Sequence, residues 1–325
     1  MSLGYYVDLL RDPARIDGFR EGLSAEVRPG ESVLEVGTGI GTYAFFAAQA
    51  GAGRVVAVDR APILHLAKAI GRDNDLNDII TWIRGDLQDI PDIDPIDLLV
   101  FEDFAVRFLD DRVWRLLRDA QRHLASSGRL FPSTGRMCMA PVQGAEVENL
   151  FALPAESDWV GADLDWSAIE PYLTNLPRVA HLGREALATP PHRGTALGLQ
   201  PLPSADALSL DATWTIPDEC PVRGIATWFE LELGEGGVYD NGPGDSDGVW
   251  GQVVLPVHPP LVVPAGETVR AAVSRDALPD GAPGWFRWSV TAGNESRAGH
   301  EFAGEPASLD DLLPQEPRDS DEMAV

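Results

Sequence analysis

From Val33 to Phe131 short apolar runs alternate with helical stretches, and the first run ends in three glycines at every second position, Gly37, Gly39 and Gly41. No other feature limits the fold as much. "SVLEVGTG" reads as a strand into a glycine turn, and "RVVAVD", "IITWIRGD", "IDLLVFED" and "GRLFPS", the last ending at Pro132, read as strands. Between them "TYAFFAAQAGA", ended by Gly51, "APILHLAKAIGRDN" and "DDRVWRLLRDAQRHLASSG" read as helices; in the last of these Val113, Leu116, Leu117, Ala120 and Leu124 fall on one stripe. Strands that return through helices at this spacing make βαβ units, hence a parallel sheet covered on both faces. Ahead of it, "DPARIDGFREGLS" predicts a helix with Asp12 as N-cap and Pro13 at its first position.

The texture changes near residue 140. Residues 141–210 are rich in Pro, Ala and Leu with weak periodicity. Beyond them "LDATWTI", "GIATWFELEL", "WGQVVLPV", "ETVRAAVS" and "GWFRWSV" are short β runs split by Pro and Gly turns, as in an antiparallel barrel or sandwich. We expect an α/β domain over 1–140, a β-barrel-like substrate domain over 141–302, and a disordered acidic tail over 303–325.

The formal charge of −26 repels a phosphate backbone, so no nucleic acid is expected as a partner. The acidity either attracts cationic substrates or simply keeps the protein dissolved, the simpler reading, in a high-salt cytoplasm among others. No apolar run is long enough to span a membrane, and "MSLGYYVDLLRD" lacks a secretory pattern. Cys138 and Cys220 stand far apart without metal spacing, which fits a reducing, cytoplasmic setting and no metal site.

"VLEVGTGIG" places a glycine turn where a strand meets a helix, and such a turn lets backbone approach a ligand closely. A dinucleotide site would read G-x-G-x-x-G and cradle a pyrophosphate. Here the spacing is G-x-G-x-G, Thr42 stands where the last glycine would be, and Glu35 precedes the turn. An anion there suits a cationic ligand such as S-adenosylmethionine better than a pyrophosphate. Asp59 ends the second strand, where a carboxylate can hold ribose hydroxyls, and Asp86 follows the third, near where an adenine would rest. Taken singly each could be an ordinary strand-end polar residue; the set in register argues for a nucleoside.

On these residues the chain resembles the class I S-adenosylmethionine-dependent methyltransferases, and within them the protein arginine methyltransferase family. "LLRDPARIDGF" resembles the family's N-terminal helix signature M-L-x-D-x-x-R-x-x-x-Y, and "VLEVGTGIGTYAFFAAQAGAGRVVAVD" its stretch around V-L-D-V-G-x-G-T-G. The resemblance implies a Rossmann-like methyltransferase sheet followed by a β-barrel domain. It also implies that Arg15 binds the cofactor's carboxylate, that Glu35 lies beside the methionine moiety, that Gly37, Gly39 and Gly41 cradle the cofactor, and that Asp59 holds the ribose. Tyr6 takes the position of a family histidine, and Phe19 that of a tyrosine.

"FEDFAVRFLDD" leaves the fourth strand with carboxylates, and ligands in a parallel sheet bind beyond the strands' carboxyl ends. The segment resembles the family's acidic loop S-E-x-M-G-x-x-L-x-x-E, which puts Glu102 on the first glutamate and, nine residues on, Asp111 on the second. Two carboxylates gripping a guanidinium would draw its charge away from the attacking nitrogen and aim it. The departures are Ala105 for the family's glycine and Asp111, about 1.5 Å shorter than a glutamate on a bond-length scale. The plain alternative is that Asp110 and Asp111 cap the following helix.

"RGIATWFELEL" and "NGPGDSDGVWGQVVLPV" resemble two barrel motifs of the family. Trp250 and Gln252 align with its Thr-His-Trp-x-Gln loop, while the histidine is replaced by Val249. Trp250 reads equally as a core aromatic and as a substrate-side residue, with Tyr6 on the same side. The stretch around 155–178 falls where the family carries a dimerisation arm, with Trp159, Trp166, Ile169 and Tyr172 as anchors, and so implies a homodimer. The expected function is methyl transfer to a guanidinium or amine nitrogen of a protein or small molecule. Two alternatives stand: another acceptor, or a catalytically inactive cofactor-binding regulatory homologue.

Overall fold

The structure, a computed structural model, describes residues 3–90, 92–152, 175–244 and 248–301. The four anchors of the expected arm and the tail from 303 lie outside the described residues.

Two helices open the chain, α1 (Leu3–Leu10) and α2 (Pro13–Glu26). The α2 N-cap is Asp12, whose side chain accepts from the Arg15 N–H, and Pro13 occupies the first turn, where its missing donor costs nothing. Then follow β1 (Ser32–Val36), α3 (Thr42–Gln49), β2 (Arg54–Asp59), α4 (Leu64–Asp73), β3 (Ile80–Arg84), β4 (Ile96–Phe101), α5 (Asp111–Gln121) and β5 (Leu124–Phe131). The strands form a parallel sheet in the order β3-β2-β1-β4-β5. Its middle strands are buried along most of their length, so they read as apolar runs interrupted only by Glu35 in β1 and Asp97 in β4. The strand order reverses between β1 and β4, and that switch opens a crevice at their carboxyl ends.

The expected last helix is shorter than its stripe. α5 stops at Gln121, and Leu124 opens β5 instead of closing the helix. The chain then enters the antiparallel half earlier than the expected boundary at 140. β6 (Thr134–Val142) already pairs with β11 (Cys220–Glu232), and α6 (Gly144–Leu150) follows it.

The intervening short strands are β7 (Arg178–Ala180), β8 (His192–Arg193), β9 (Leu197–Gly198) and β10 (Leu210–Thr215). After β11 come β12 (Val238–Asp240), β13 (Gln252–Val263), β14 (Thr268–Ala277), β15 (Pro283–Ala292) and β16 (Glu295–His300). They build two sheets, β7-β13-β11-β6-β8 and β10-β14-β15-β16, with β12 added to β11 and β9 to β6. Their inner faces interdigitate in one core that continues into the parallel sheet through Phe101, Phe104, Phe108 and Phe229.

The two halves are pinned at α2. Gly18 and Gly22 let the helix lie directly on the turn after β11, where a Cβ on either would run into Leu233. Tyr239 of β12 donates its hydroxyl to Asp12 at 3.2 Å. Among the described residues no helix is long and apolar enough to cross a membrane.

Candidate functional site

The crevice at the switch point is a cavity of about 520 Å³, within the range of small-molecule sites. α1 and the start of α2 form one wall with Tyr5, Tyr6, Leu9 and Arg15. The ends of β1 to β4 form the floor with Gly37, Asp59, Asp86, Glu102 and Asp103, and the barrel contributes Trp250.

The glycine turn behaves as its spacing implies. Gly37, Gly39 and Gly41 all hold positive φ, where a Cβ is strained. Each is also tightly covered: a Cβ on Gly37 would meet Asp103, on Gly39 the Tyr6 ring, and on Gly41 the Trp82 ring. Asp59 fastens the turn to β2, accepting the Gly39 N–H at 2.7 Å and the Ala61 N–H at 2.7 Å. It lines the cavity, as do Asp86, Gly37 and Arg15.

Glu35 is placed differently from the expectation. It is buried beneath the turn, accepts the Thr38 hydroxyl at 2.5 Å, and is not part of the cavity wall. Burial pushes its carboxyl up to about 8, with the Thr38 hydroxyl opposing. A strand alternates its side chains, and Glu35 projects under the β1–α3 crossing instead of out of the strand's end.

Arg15 and Glu102 meet at the cavity floor. The Arg15 Nη1 donates to Glu102 Oε1 at 2.6 Å, and its Nη2 to the Leu9 carbonyl at 2.8 Å. The guanidinium also lies over the Trp250 ring, 5.5 Å from its centroid. Burial raises Glu102 to about 7; Arg15 pulls it down, and neighbouring Asp103 pushes it up again. Trp250 is placed both in the core and at the cavity. It packs on Phe229 and Tyr239 in the core, and its edge lines the cavity.

Of the two expected acids the structure brings only Glu102 into the cavity. Asp111 is the first residue of α5 and pairs with Arg115 at 2.7 Å on the helix surface. Asp110 is the N-cap and accepts the Val113 N–H at 2.8 Å. The plain alternative thus describes this pair: the helix phase turns Asp111 away. The second carboxylate that the exit of β4 brings to the wall is Asp103, held by Arg112 at 2.9 Å and raised chiefly by burial. Sequence reasoning missed Asp103 as a site residue, although it adjoins Glu102. It also missed Arg112 and Tyr5, whose positions depend on how α1 and α5 fold over the strand ends.

Two buried polar atoms around the cavity, Arg15 Nε and the Tyr6 hydroxyl, have no hydrogen-bond partner in the structure. Buried donors of this kind are normally satisfied, so a polar ligand at this wall fits them. With the glycine turn, Asp59 and Asp86 alongside, the donor set suits a nucleoside carrying an amino-acid tail. Among the described residues no group of three or more His, Cys, Asp or Glu is gathered to hold a metal ion.

The chain is similar to known methyltransferases. The methyltransferase domain family matches residues 33–128, from β1 to the middle of β5. Protein arginine N-methyltransferase 1 of Schizosaccharomyces pombe is 28% identical over 279 residues, covering 83% of this chain and 81% of that protein. Arginine N(omega)-methyltransferase of Streptomyces achromogenes subsp. streptozoticus is 28% identical over 281 residues, covering 82% and 74%. In fold, the chain is similar to the Trypanosoma brucei PRMT1 enzyme-prozyme heterotetrameric complex with AdoHcy, at a TM-score of 0.78 and 20% identity over 93% of this chain and 99% of that one. It is likewise similar to Arabidopsis thaliana protein arginine methyltransferase 10, at 0.76 and 20% over 93% and 98%. These findings support an S-adenosylmethionine-dependent methyltransferase similar to the protein arginine methyltransferases.

Proposed function

We propose that the acceptor is a guanidinium nitrogen, and that Glu102 with Asp103 holds it. The observation that carries this reading is the exit of both carboxylates from β4 into the cavity that Gly37 of the glycine turn also lines. The two relatives above are named as arginine methyltransferases, one for proteins and one for arginine itself, which supports the same acceptor group. Either source, a protein side chain or a small molecule, satisfies the chemistry.

S-adenosylmethionine, when bound, supplies a methyl group on a sulfonium, open to in-line attack by a nitrogen lone pair. Gly37, Gly39 and Gly41 with Asp59 would hold the nucleoside end, and Arg15 with its unpartnered Nε the carboxylate end. Glu102 accepts N–H donors from the guanidinium and fixes the approach of the nitrogen that reacts. Asp103 adds negative charge at the opposite side, which concentrates the cation's charge on the nitrogens that do not react. As the new N–C bond forms, the nitrogen gives up a proton. Glu102, raised to about 7, is matched to receive it near neutral pH, directly or through a water. Tyr6 lies across Gly39 and shields the reacting atoms from solvent. A homodimer is part of the same reading, because the 155–178 stretch falls where the resembled family carries a dimerisation arm.

The test is mass spectrometry of free L-arginine and of a glycine- and arginine-rich peptide after incubation with labelled cofactor. Methyl groups on the guanidinium of either support the reading. Transfer to neither, or transfer by Glu102→Gln at the parent rate, removes it.

A further inference from the structure

The loop that carries Glu102 and Asp103 is fastened from behind. Between Glu102 and α5 the chain folds back on itself, with Ala105 and Phe108 exchanging backbone hydrogen bonds. Ala105 and Val106 face the cavity. Phe108 is fully buried at φ 65, a conformation that is strained for a bulky residue and persists only where the surroundings impose it. Arg107, between them, points away from the cavity. Its Nε donates to Glu301 Oε1 at 2.8 Å, and its Nη2 reaches the same oxygen.

Glu301 follows β16 and is itself built in. It is buried, its N–H donates to the Phe286 carbonyl at 2.8 Å, and its Oε2 accepts the Phe286 N–H at 3.3 Å. A second guanidinium closes the arrangement. Arg275 of β14 is buried over the Phe286 ring, donates to the Gly284 carbonyl at 2.6 Å, and its Nη1 donates to the Arg107 carbonyl at 3.4 Å. Burial lowers Arg275 to about 10, with Glu301 opposing, so it stays charged at neutral pH. Both the side chain and the backbone of Arg107 are therefore held by the far sheet of the barrel.

We propose that Arg107, Glu301 and Arg275 are positioning residues for the reaction: a latch by which the end of β16 fixes the acid loop against the cavity. None touches the cavity wall. The inference rests on the proposed grip of Glu102 and Asp103 on the acceptor. A carboxylate displaced by even 1 Å loses its aim, so the latch acts first on acceptor binding; it reaches the cofactor turn only through Asp103, which packs on Gly37.

The test uses the full chain with Arg107→Met, Glu301→Gln and the exchanged pair Arg107→Glu with Glu301→Arg, beside Glu102→Gln, with free L-arginine and the glycine- and arginine-rich peptide as acceptors. For either single variant we expect KM for the acceptor to rise on the order of tenfold, with a much smaller change in S-adenosylhomocysteine affinity and partial recovery in the exchanged pair. Amide hydrogen exchange should quicken at residues 104–109 and not at 35–42. If Glu102→Gln is inactive while the latch variants keep parental KM and exchange rates, the latch is wrong and the acceptor reading stands. If Glu102→Gln is active, or neither acceptor is methylated, the acceptor reading fails. Exchange at 104–109 then decides the latch alone, and parental rates there overturn it.

Discussion

Arg15 Nη1 and Glu102 Oε1 lie 2.6 Å apart, joining the first turn of α2 to the end of β4 at the floor of one cavity. The pair is deeply buried, with side chains 3% and 14% exposed. It ties the helix that closes the cofactor end to the acid at the acceptor end. Removal of one member of a buried pair costs more than the pair's net worth, because the other is left charged and dry. Arg15→Met is expected to destabilise the fold by about 3 kcal/mol in urea unfolding and to weaken S-adenosylhomocysteine binding as well. Unchanged affinity in calorimetry would mean that Arg15 serves only the fold.

Glu102 should set the acid limb of activity. Its carboxyl is raised to about 7 by burial, so it is neutral below that pH and charged above it. A neutral Glu102 neither attracts a guanidinium nor accepts a proton. The pH profile of kcat/KM is expected to climb through about 7 and level off, since that ratio reports groups of the free enzyme. A flat profile between pH 5.5 and 8.5 would contradict it.

Glu35 should leave its mark on stability instead. Its folded pKa, about 8, lies above the ordinary carboxylate value of 4.5. Below pH 4.5 the group is neutral in both states, and its relative contribution is fully present. As pH rises from 4.5 to 8 the unfolded chain ionises while the folded one does not, so stability falls across that window. Glu35→Gln, which cannot ionise, is expected to lose less stability than the parent between pH 5 and pH 8, read as denaturation midpoints. Parallel losses in the two proteins would show that Glu35 ionises normally in the fold.

The parallel half of the molecule was legible because strands buried on both faces must be mostly apolar, and β1, β2 and β4 are, with Glu35 and Asp97 the only interior exceptions. β6 and β16 were missed for the opposite reason. "TGRMCMAPV" mixes Arg136 and Pro141 into its run, and "ESRAGH" is an edge strand with almost no apolar residue. At the site, composition and order marked Gly37, Asp59 and Glu102, since these depend only on where strands end. Direction could not be read in the same way. Counting nine residues from Glu102 reaches Asp111, yet the side chain's aim is set by the phase of α5. Glu35 is one residue before the strand's last, and lies under the turn.

Gly39→Ala combines two costs. Gly39 sits at φ 55, and an added Cβ would stand 2.7 Å from Cε1 of Tyr6. The left-handed conformation alone costs an L-residue about 1–2 kcal/mol. The clash falls on a ring at the cavity wall, so it should push Tyr6 outward and open the shield. Cofactor-product affinity is expected to fall on the order of tenfold, together with a lower melting temperature. Gly30→Ala is the control, with φ 83 and nothing within 4 Å of the added atom. It should lower the melting temperature alone. A fall in affinity there too would assign the Gly39 effect to backbone strain and not to Tyr6.

Asp111 and Asp103 separate the motif count from the geometry. Asp111 pairs with Arg115 across one turn of α5, both side chains 40% or more exposed, so solvent screens the pair and it contributes only about 0.3–0.5 kcal/mol. Asp111→Asn is expected to keep transfer within about twofold of the parent, a change of about 0.4 kcal/mol. Asp103 lines the cavity, presses on Gly37 and is held by Arg112. Asp103→Asn keeps the side chain's shape but removes its charge, and should lower kcat/KM for a guanidinium acceptor on the order of a hundredfold. The ranking of the two variants is the decisive reading. If Asp111→Asn is the more damaging, the loop must rearrange when acceptor binds, swinging the N-terminus of α5 inward, and the acid pair is Glu102 with Asp111 after all.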